Sequence, residues 1–490
     1  MPPMGGAVRS DDQGEVAMGV FSALTTAVTG MQAQSYALEN ISGNIANSRT
    51  AGFKRVDTSF SDLVPDSALN RQIAGSVASY SRATNTIQGD LNATRIDTNA
   101  AINGDGFFVV DQRQSGVGAS TQFANSNLYT RRGDFDFDAD GYLVNGAGYY
   151  LKGQKIDPVT GQVIGSQPDV LRITKDQFPA KATTQIEYSA NIPAYPKTNQ
   201  ANTATAGSEL LRGGAGLGFG TNPGTTASGG TGTVVGSDLT TFLNRSIPGG
   251  SVTVYDTLGK ATSVELRWAK ISNATTTPAP GTPDTWNLFI AENTGATGAT
   301  VAYRNVNTDV TFDNTGKMTF PVNGNITIPP MTIGGNAISP ATAPISIVTN
   351  GTSLTQNGDT SGQIDARSIR QNGYTAGTLD RVSISNEGQV IGTFSNGQVV
   401  ALAQIAVARF NAGNALKRLD GGAFEETIES GAPIVGLGTA ALIGGNVEQS
   451  NTDIADEFSK MIVTQQAYSA NTKVISTAQE MLRDVFNIIR

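Results

Sequence analysis

The chain has 490 residues, 33 Lys and Arg against 41 Asp and Glu, and a formal net charge of −8. With 38% hydrophobic and 15% charged residues it is too apolar for global disorder, and its acidity leaves no basic footprint for nucleic acid or anionic lipid. It has no cysteine and no histidine, which excludes disulfides, thiolate metal sites and a cysteine nucleophile, and removes the commonest general base and zinc ligand.

In chain order, residues 1–17 are polar and carry no charged-then-apolar signal, so they read as a flexible leader or a mis-assigned start. Apolar residues then recur at spacings of three and four: Phe21, Leu24, Val28, Met31, Leu38 and Ile45, with Ser35 and Ser42 between them. The spacing predicts a helix from about Val20 to Ile45, roughly 39 Å long, with one stripe to bury against another helix. Residues 46–88, with Gly52 placed for a turn of positive φ, read as an extended connector.

From Gly89 the pattern is β. Asn103-Gly104-Asp105-Gly106 carries turn signals before the run Phe107-Phe108-Val109-Val110. Asp134-Phe135-Asp136-Phe137-Asp138 alternates as a half-buried strand does, and Asp138 to Gly141 turns it into Tyr142-Leu143-Val144. The spacing Asp136, Asp138, Asp140, Gly141 begins like a calcium loop, but Ala147 stands where a bidentate Glu is required, so a hairpin turn is the better reading. Arg131 and Arg132 read as a solvated strand face or an intersubunit contact, with nothing to choose between them.

Residues 213–236 are Gly-, Thr- and Ser-rich and read as a long loop; Gly216, Gly218 and Gly220 do not make a dinucleotide fingerprint. Val252 to Tyr255 and Ser263 to Trp268 flank a turn, and Trp286 to Ile290 and Met331 to Ile333 are further strands. Asn396-Gly397 is a hairpin turn, and Ala401 to Phe410 reads as one longer apolar strand. The 3-4 spacing returns at the end: Ile454, Phe458, Met461, Tyr468, Ile475, Leu482, Phe486 and Ile489, with Gln465, Thr472 and Gln479 between. No stretch approaches the ~18 apolar residues of a membrane span.

The fold class expected is multidomain α+β, with terminal helices pairing as a coiled coil around nested, mainly-β domains of antiparallel barrels or sandwiches. The divisions are a leader 1–17, a helical domain 18–45 plus 450–490, the connector 46–88, a discontinuous β domain 89–186 plus 366–449, and an insert 187–365. Paired sticky ends around a β body read as a polymer subunit and not an enzyme. No cofactor or metal is implied.

Several of these segments resemble the axial proteins of the bacterial flagellum, most closely the hook family. The signatures are Ala46 to Lys54, Ala101 to Val109, Tyr129 to Val144, and Asn451 to Asn471, spread over about 18–150 and 370–490. Asn47, Thr50, Gly52, Phe53 and Lys54 fall in the first, which the resemblance makes a joint between helical core and outer domains. It also implies a structural subunit that stacks with copies of itself into a curved, flexible tube passing torque from rod to filament. The implied neighbours are a distal rod protein, a hook cap and hook–filament junction proteins. The implied location is the extracellular flagellum, continuous with the basal body, reached through the flagellar type III export apparatus without signal cleavage. The inserted middle argues against a rod protein of the same family. A secreted β-rich adhesin or enzyme is the other alternative.

Overall fold

The computed structural model describes residues 12–63, 76–116, 121–211, 219–275, 281–349 and 353–488, with backbone alone at 12–20, 63 and 485–488. Two compact units divide it: one takes the described residues up to Asp176 and from Leu379 onward, and the other is Gln177–Thr378. The architecture is mainly β, with helices α1 (Asp12–Ala46), α2 (Leu239–Leu243) and α3 (Ile454–Ile488). Helix α1 begins at Asp12, so residues 12–17, expected in a leader, are helical. Helix α3 starts where Asp453 Oδ1 accepts the amides of Ala455 (2.8 Å) and Asp456 (3.3 Å), and Asp456 and Glu457 in its first turn favour the positive end of the helix dipole.

In the first unit the strand Phe107–Ser115 lies between Leu128–Thr130 and Tyr149–Ile156, and the sheet continues through Val399–Ile405, Gln389–Phe394 and Leu379–Ile384. Phe108 and Val110 face one apolar core, with Leu143, Leu151, Val390 and Leu442. Phe107 and Val109 face another, with Tyr129, Leu416 and Phe424. Where the strand is covered on both faces, from Phe107 to Val110, it cannot alternate with polar residues, which is why these four positions are an unbroken apolar run. Leu91–Ala93 pairs antiparallel with Asn446–Glu448, and Ala100–Asn103 with Ala441–Gly444, so the chain leaves this sheet beside where it entered.

Two local expectations change. The segment 46–88, expected as an extended connector, contains paired strands: Val56–Leu63 and Ser76–Ala83 align antiparallel from Val56↔Ala83 to Leu63↔Ser76. They lie on α1, where Tyr36 and Ser81 share a hydrogen bond of 2.6 Å and Asn40 Nδ2 donates to Thr58 Oγ1 at 2.9 Å. The run 401–410 is two strands, Val399–Ile405 and Val407–Arg409, with Ala406 between them. The Asn396-Gly397 turn closes the hairpin before them, with Gly397 at φ +79°.

The second unit packs two sheets around one core. The first runs Thr233–Val235, Val301–Phe312, Asp284–Ala291, Ala261–Ser272 and Ile247–Tyr255, all antiparallel. The second is built on Gln185–Asn191 and carries Asp365–Gln371 along one edge. That pairing, from Ile186↔Gln371 to Asn191↔Asp365, puts 366–371 in this unit and not in the outer parts of the chain as expected. Trp286, Leu288 and Ile290 point into the core beside Trp268, Leu266, Tyr188 and Ile347. Phe289 and Ala291, on the opposite face, join Phe242, Tyr303, Phe219 and Leu211. Two polar groups of the core are satisfied in a chain: Trp268 Nε1 donates to the Tyr188 hydroxyl (3.2 Å), which donates to the Gly249 carbonyl (2.9 Å).

Burial, reinforced by the Glu265 carboxylate that accepts its hydroxyl at 3.3 Å, pushes Tyr303 from the ordinary 10.0 up to about 12. Burial raises Tyr188 as well. Acids raised in the fold favour folding while protonated, so this stability is fully present below pH 10 and is lost as pH climbs through about 12. Urea melts of the second unit taken above and below that window will show the midpoint falling with alkalinity. Tyr303→Phe will flatten the dependence.

Candidate functional site

Helices α1 and α3 lie antiparallel. At one end Asn44 Nδ2 donates to Glu457 Oε2 at 3.0 Å, and further along Met31 Sδ is 3.9 Å from Thr472 Oγ1. Gly30 allows the close approach between them, since a Cβ there would lie 3.0 Å from Asn471 Nδ2.

The face of α1 buried in the single chain is Ala27, Ala33, Ala37, Ile41 and Asn44. This is not the stripe read from the sequence. Leu24, Val28, Met31, Leu38 and Ile45 are only half-buried and Phe21 is 55% exposed, because they lie roughly a third of a turn away. Small residues win the inner face because they let the backbones come close.

On α3 the buried positions are Glu457, Thr464 and Ala478, with Met461, Ile475 and Leu482 half-buried. Ile454 (42%), Phe458 (50%) and Tyr468 (37%) stand exposed. So do Ile462, Val463, Val474 and Met481, which lie outside the predicted stripe. The side chain of Phe486, and Ile489 entirely, lie outside the described residues.

The segment after α1 is tied down by a dense set of polar contacts. Asn44 acts as a strand would, accepting the Val56 amide and donating to its carbonyl, each at 2.9 Å. Asn47 Nδ2 donates to the Gly43 carbonyl (3.0 Å) and its Oδ1 accepts Thr50 Oγ1 (3.2 Å), closing the helix end. Gly52 follows at φ +65°, donates its amide to the Glu448 carbonyl (2.8 Å), and leaves no room for a Cβ, which would sit 2.6 Å from the Arg132 amide nitrogen. The Phe53 ring lies under the Arg418 guanidinium, 4.6 Å away.

Lys54 is fully buried. Its ammonium donates to the Glu448 carboxylate and, at 2.6 Å, to the Ile87 carbonyl. Arg131, 1% exposed, reaches the other Glu448 oxygen at 3.3 Å and holds the carbonyls of Ile102 (3.3 Å) and Gly104 (2.7 Å). Glu448 also accepts the Gly89 amide at 2.9 Å. Burial lowers the pKa of both cations, and the shared carboxylate opposes that shift. Asn451 completes the joint, with Oδ1 accepting the Arg55 amide (2.7 Å) and its own amide reaching the Phe53 carbonyl (3.3 Å).

Arg131 is therefore neither on a solvated face nor at a free surface. Sequence reasoning also missed Glu448 and Asn44. A lysine amid apolar neighbours demands a carboxylate, but nothing in the chain says that it lies almost 400 residues on.

The aspartate turn is the hairpin Phe135–Phe137 to Leu143–Asn145, in which Asp138 Oδ1 accepts the amides of Asp140 (3.0 Å) and Tyr142 (2.8 Å). Among the described residues no cluster of His, Cys, Asp or Glu is arranged to hold a metal ion, and no helix is long and apolar enough to cross a membrane.

Four family descriptions match the chain in order. They are "Flagella basal body rod protein" at 24–54, "Flagellar hook protein FlgE/F/G D1 domain" at 101–187, "Flagellar basal body protein FlaE D2 domain" at 249–374, and "Flagellar basal body rod FlgEFG protein C-terminal" at 443–488. The flagellar hook protein FlgE of Brucella suis is 28% identical over 96% of this chain and 100% of its own length. The chain belongs to the flagellar hook protein family.

Other hook-family relatives align along nearly the whole of both chains. FlgE of Caulobacter vibrioides is 26% identical over 96% of this chain and 100% of its own, and FlgE of Salmonella typhimurium 27% over 94% and 98%. A crystal structure of Helicobacter pylori flagellar hook protein FlgE2 is similar at a TM-score of 0.46 and 17% identity, over 72% of this chain and 98% of that one. The family is a structural one, and the joint built on Lys54, Arg131 and Glu448 draws one residue from the D1 match, one from the C-terminal match and one from the end of the N-terminal match.

Glu448→Gln will leave two buried cations without their carboxylate and cost the first unit about 3–5 kcal/mol in denaturant unfolding. Gly52→Ala will cost about 1–3 kcal/mol for its backbone conformation alone, with the Arg132 clash added. In both, circular dichroism of the second unit's transition will stay unchanged.

Proposed function

We propose that the chain is a structural subunit of the flagellar hook, joined to copies of itself through the flanks of α1 and α3. The observation that carries this reading is the set of large apolar side chains left exposed on one helix. Ile454, Phe458 and Ile462 follow each other at i, i+4 along one flank of α3, and Val463, Val474 and Met481 line another. Exposed apolar surface in continuous rows signals a protein contact. Two unlike flanks meeting unlike surfaces make a head-to-tail contact, which builds an open helix when the rotation does not close.

In this reading Phe21, Leu24, Val28, Met31, Leu38 and Ile45 meet the flanks of neighbouring copies, and the helix pairs form a coiled-coil inner wall. The joint at Asn47, Thr50, Gly52, Phe53 and Lys54 sets the angle at which the β units leave that wall. Their polar, Gly- and Thr-rich surfaces suit weak contacts that slide as the tube bends. The tube passes torque from rod to filament. Its ends meet a distal rod protein, a hook cap and hook–filament junction proteins. Subunits leave the cell unfolded through the flagellar type III apparatus without signal cleavage, which the absence of disulfides favours. The sandwich unit Gln177–Thr378, matched in part by the D2 description, favours hook over rod.

The test is electron microscopy of the full chain in a high-salt precipitant beside the double variant Val463→Glu, Val474→Glu. Both side chains are exposed, so the variant will unfold within about 0.5 kcal/mol of the parent. The parent will form curved filaments and the variant will stay monomeric. Filaments of equal length from the variant would remove this flank from the interface.

A further inference from the structure

Three lysines are buried among the described residues: Lys54, Lys152 and Lys270. Lys54 and Lys270 each pair closely with a carboxylate and a peptide carbonyl, the latter at 2.6 Å from Ile87 and 2.7 Å from Ala194. Lys152 differs. Its ammonium donates to a side-chain carboxamide, Asn127 Oδ1, at 3.0 Å, while its carboxylate partner Asp111 stands off at 3.5 Å.

Asp111 and Lys152 lie on adjacent strands, and Asn127 immediately precedes a third, Leu128–Thr130. Asp111 is on the middle strand, Phe107–Ser115. Tyr150 is its cross-strand partner on one side, which places Lys152 two residues on along the same face. On the other side Leu128 pairs with Val110, so Asn127 lies just beyond that pair. The carboxylate thus stands between an amine and an amide carbonyl that reach towards each other across it. Val109, Tyr129 and Tyr150 are buried nearby, and Lys152 and Asp111 are only 4% and 1% exposed. Asn127 is exposed, which gives a departing nitrogen a path to water.

We propose that Lys152 and Asn127 join in an isopeptide bond, with Asp111 as the proton carrier. A desolvated lysine amine is a competent nucleophile, and hydrogen-bond contact with the amide oxygen holds it near the carbonyl carbon. Asp111 takes a proton from the ammonium, freeing the lone pair on Nζ. The Nζ–Cγ bond to Asn127 forms and the Cγ–Nδ2 bond breaks. Two of the three ammonium protons pass by way of Asp111 to the leaving nitrogen, and one stays on the new amide. Ammonium departs, Asp111 ends ionised as it began, and nothing is oxidised or reduced. The bond would tie the two strands that flank the middle one and have no backbone hydrogen bonds to each other, in a subunit that works under pull.

The test is intact-mass spectrometry of the full chain after folding and incubation. The expected mass is about 17 Da below that of the sequence, one ammonia lost. Peptide mapping will find a branched peptide joining Lys152 and Asn127. Asn127→Ala, a surface change that leaves the fold intact, and Lys152→Met will each return the mass to the sequence value. A parent at full sequence mass overturns the proposal, and so does a loss that persists in Asn127→Ala. A loss reversed by hydroxylamine also overturns it, because that marks a succinimide at an Asn-Gly pair instead.

Discussion

A single buried carboxylate, Glu448, neutralises two buried cations that arrive from distant parts of the chain. Lys54 follows the first helix and Arg131 immediately follows a strand of the β body, while Glu448 itself precedes the last helix. A buried ion pair is a poor source of net stability, because desolvation offsets much of the attraction. Its value is in specificity. Two cations and one anion are tolerable in this core only in one arrangement, so the start of the β body, its central strands and the exit to α3 are brought into fixed register. Gly52 makes the same point sterically, since the turn before Lys54 passes too close to Arg132 for any side chain.

The helix pair beyond that joint is arranged inside out relative to an ordinary two-helix core. Alanines and polar residues hold α1 against its partners, and many of the large side chains stay outside. Helices held by so little apolar area are marginal on their own in water. The same poverty of inner packing leaves area available for other contacts. A sequence optimised for a stable monomer would have placed Phe458 or Val463 where Glu457 and Thr464 are.

How much of this could be read from the chain depended on range. Turn chemistry was legible because it is local: Asp138, Asp256 and Asn396 sit in the hairpin turns where their side chains suggested them, and Asp256 Oδ1 accepts the Leu258 and Lys260 amides at 2.9 and 2.8 Å. Both terminal helices were legible from their spacing. The face each helix buries was not, because alanine and asparagine carry little hydrophobic signal, and the stripe of large residues pointed elsewhere. The strands Val56–Leu63 and Ser76–Ala83 escaped notice for the same reason, half of their residues being serine, aspartate or threonine. The boundaries of the second unit were misplaced where strands distant in sequence, Gln185–Asn191 and Asp365–Gln371, pair with each other. The joint was half-visible: Lys54 stood out, and its partner could not.

The absence of histidine and cysteine bears on the assembled protein as much as on catalysis. Unperturbed carboxylates titrate near pH 4 and amines near pH 10, and histidine and cysteine are the side chains that ordinarily fill the interval. With neither, the pattern of exposed charge holds steady across roughly pH 6 to 9. Contacts between polar outer surfaces then keep their strength as the surroundings change. Of the groups that shift, Lys54 and Arg131 (downward) and Tyr188 and Tyr303 (upward) are buried inside a unit, while the partly exposed turn carboxylates Asp157, Asp313 and Asp359 are lowered by the hydrogen bonds they accept and so stay charged. In the proposed assembly that pattern keeps the charge on the contact surfaces constant near neutral pH, while the buried groups fix the shape of each unit.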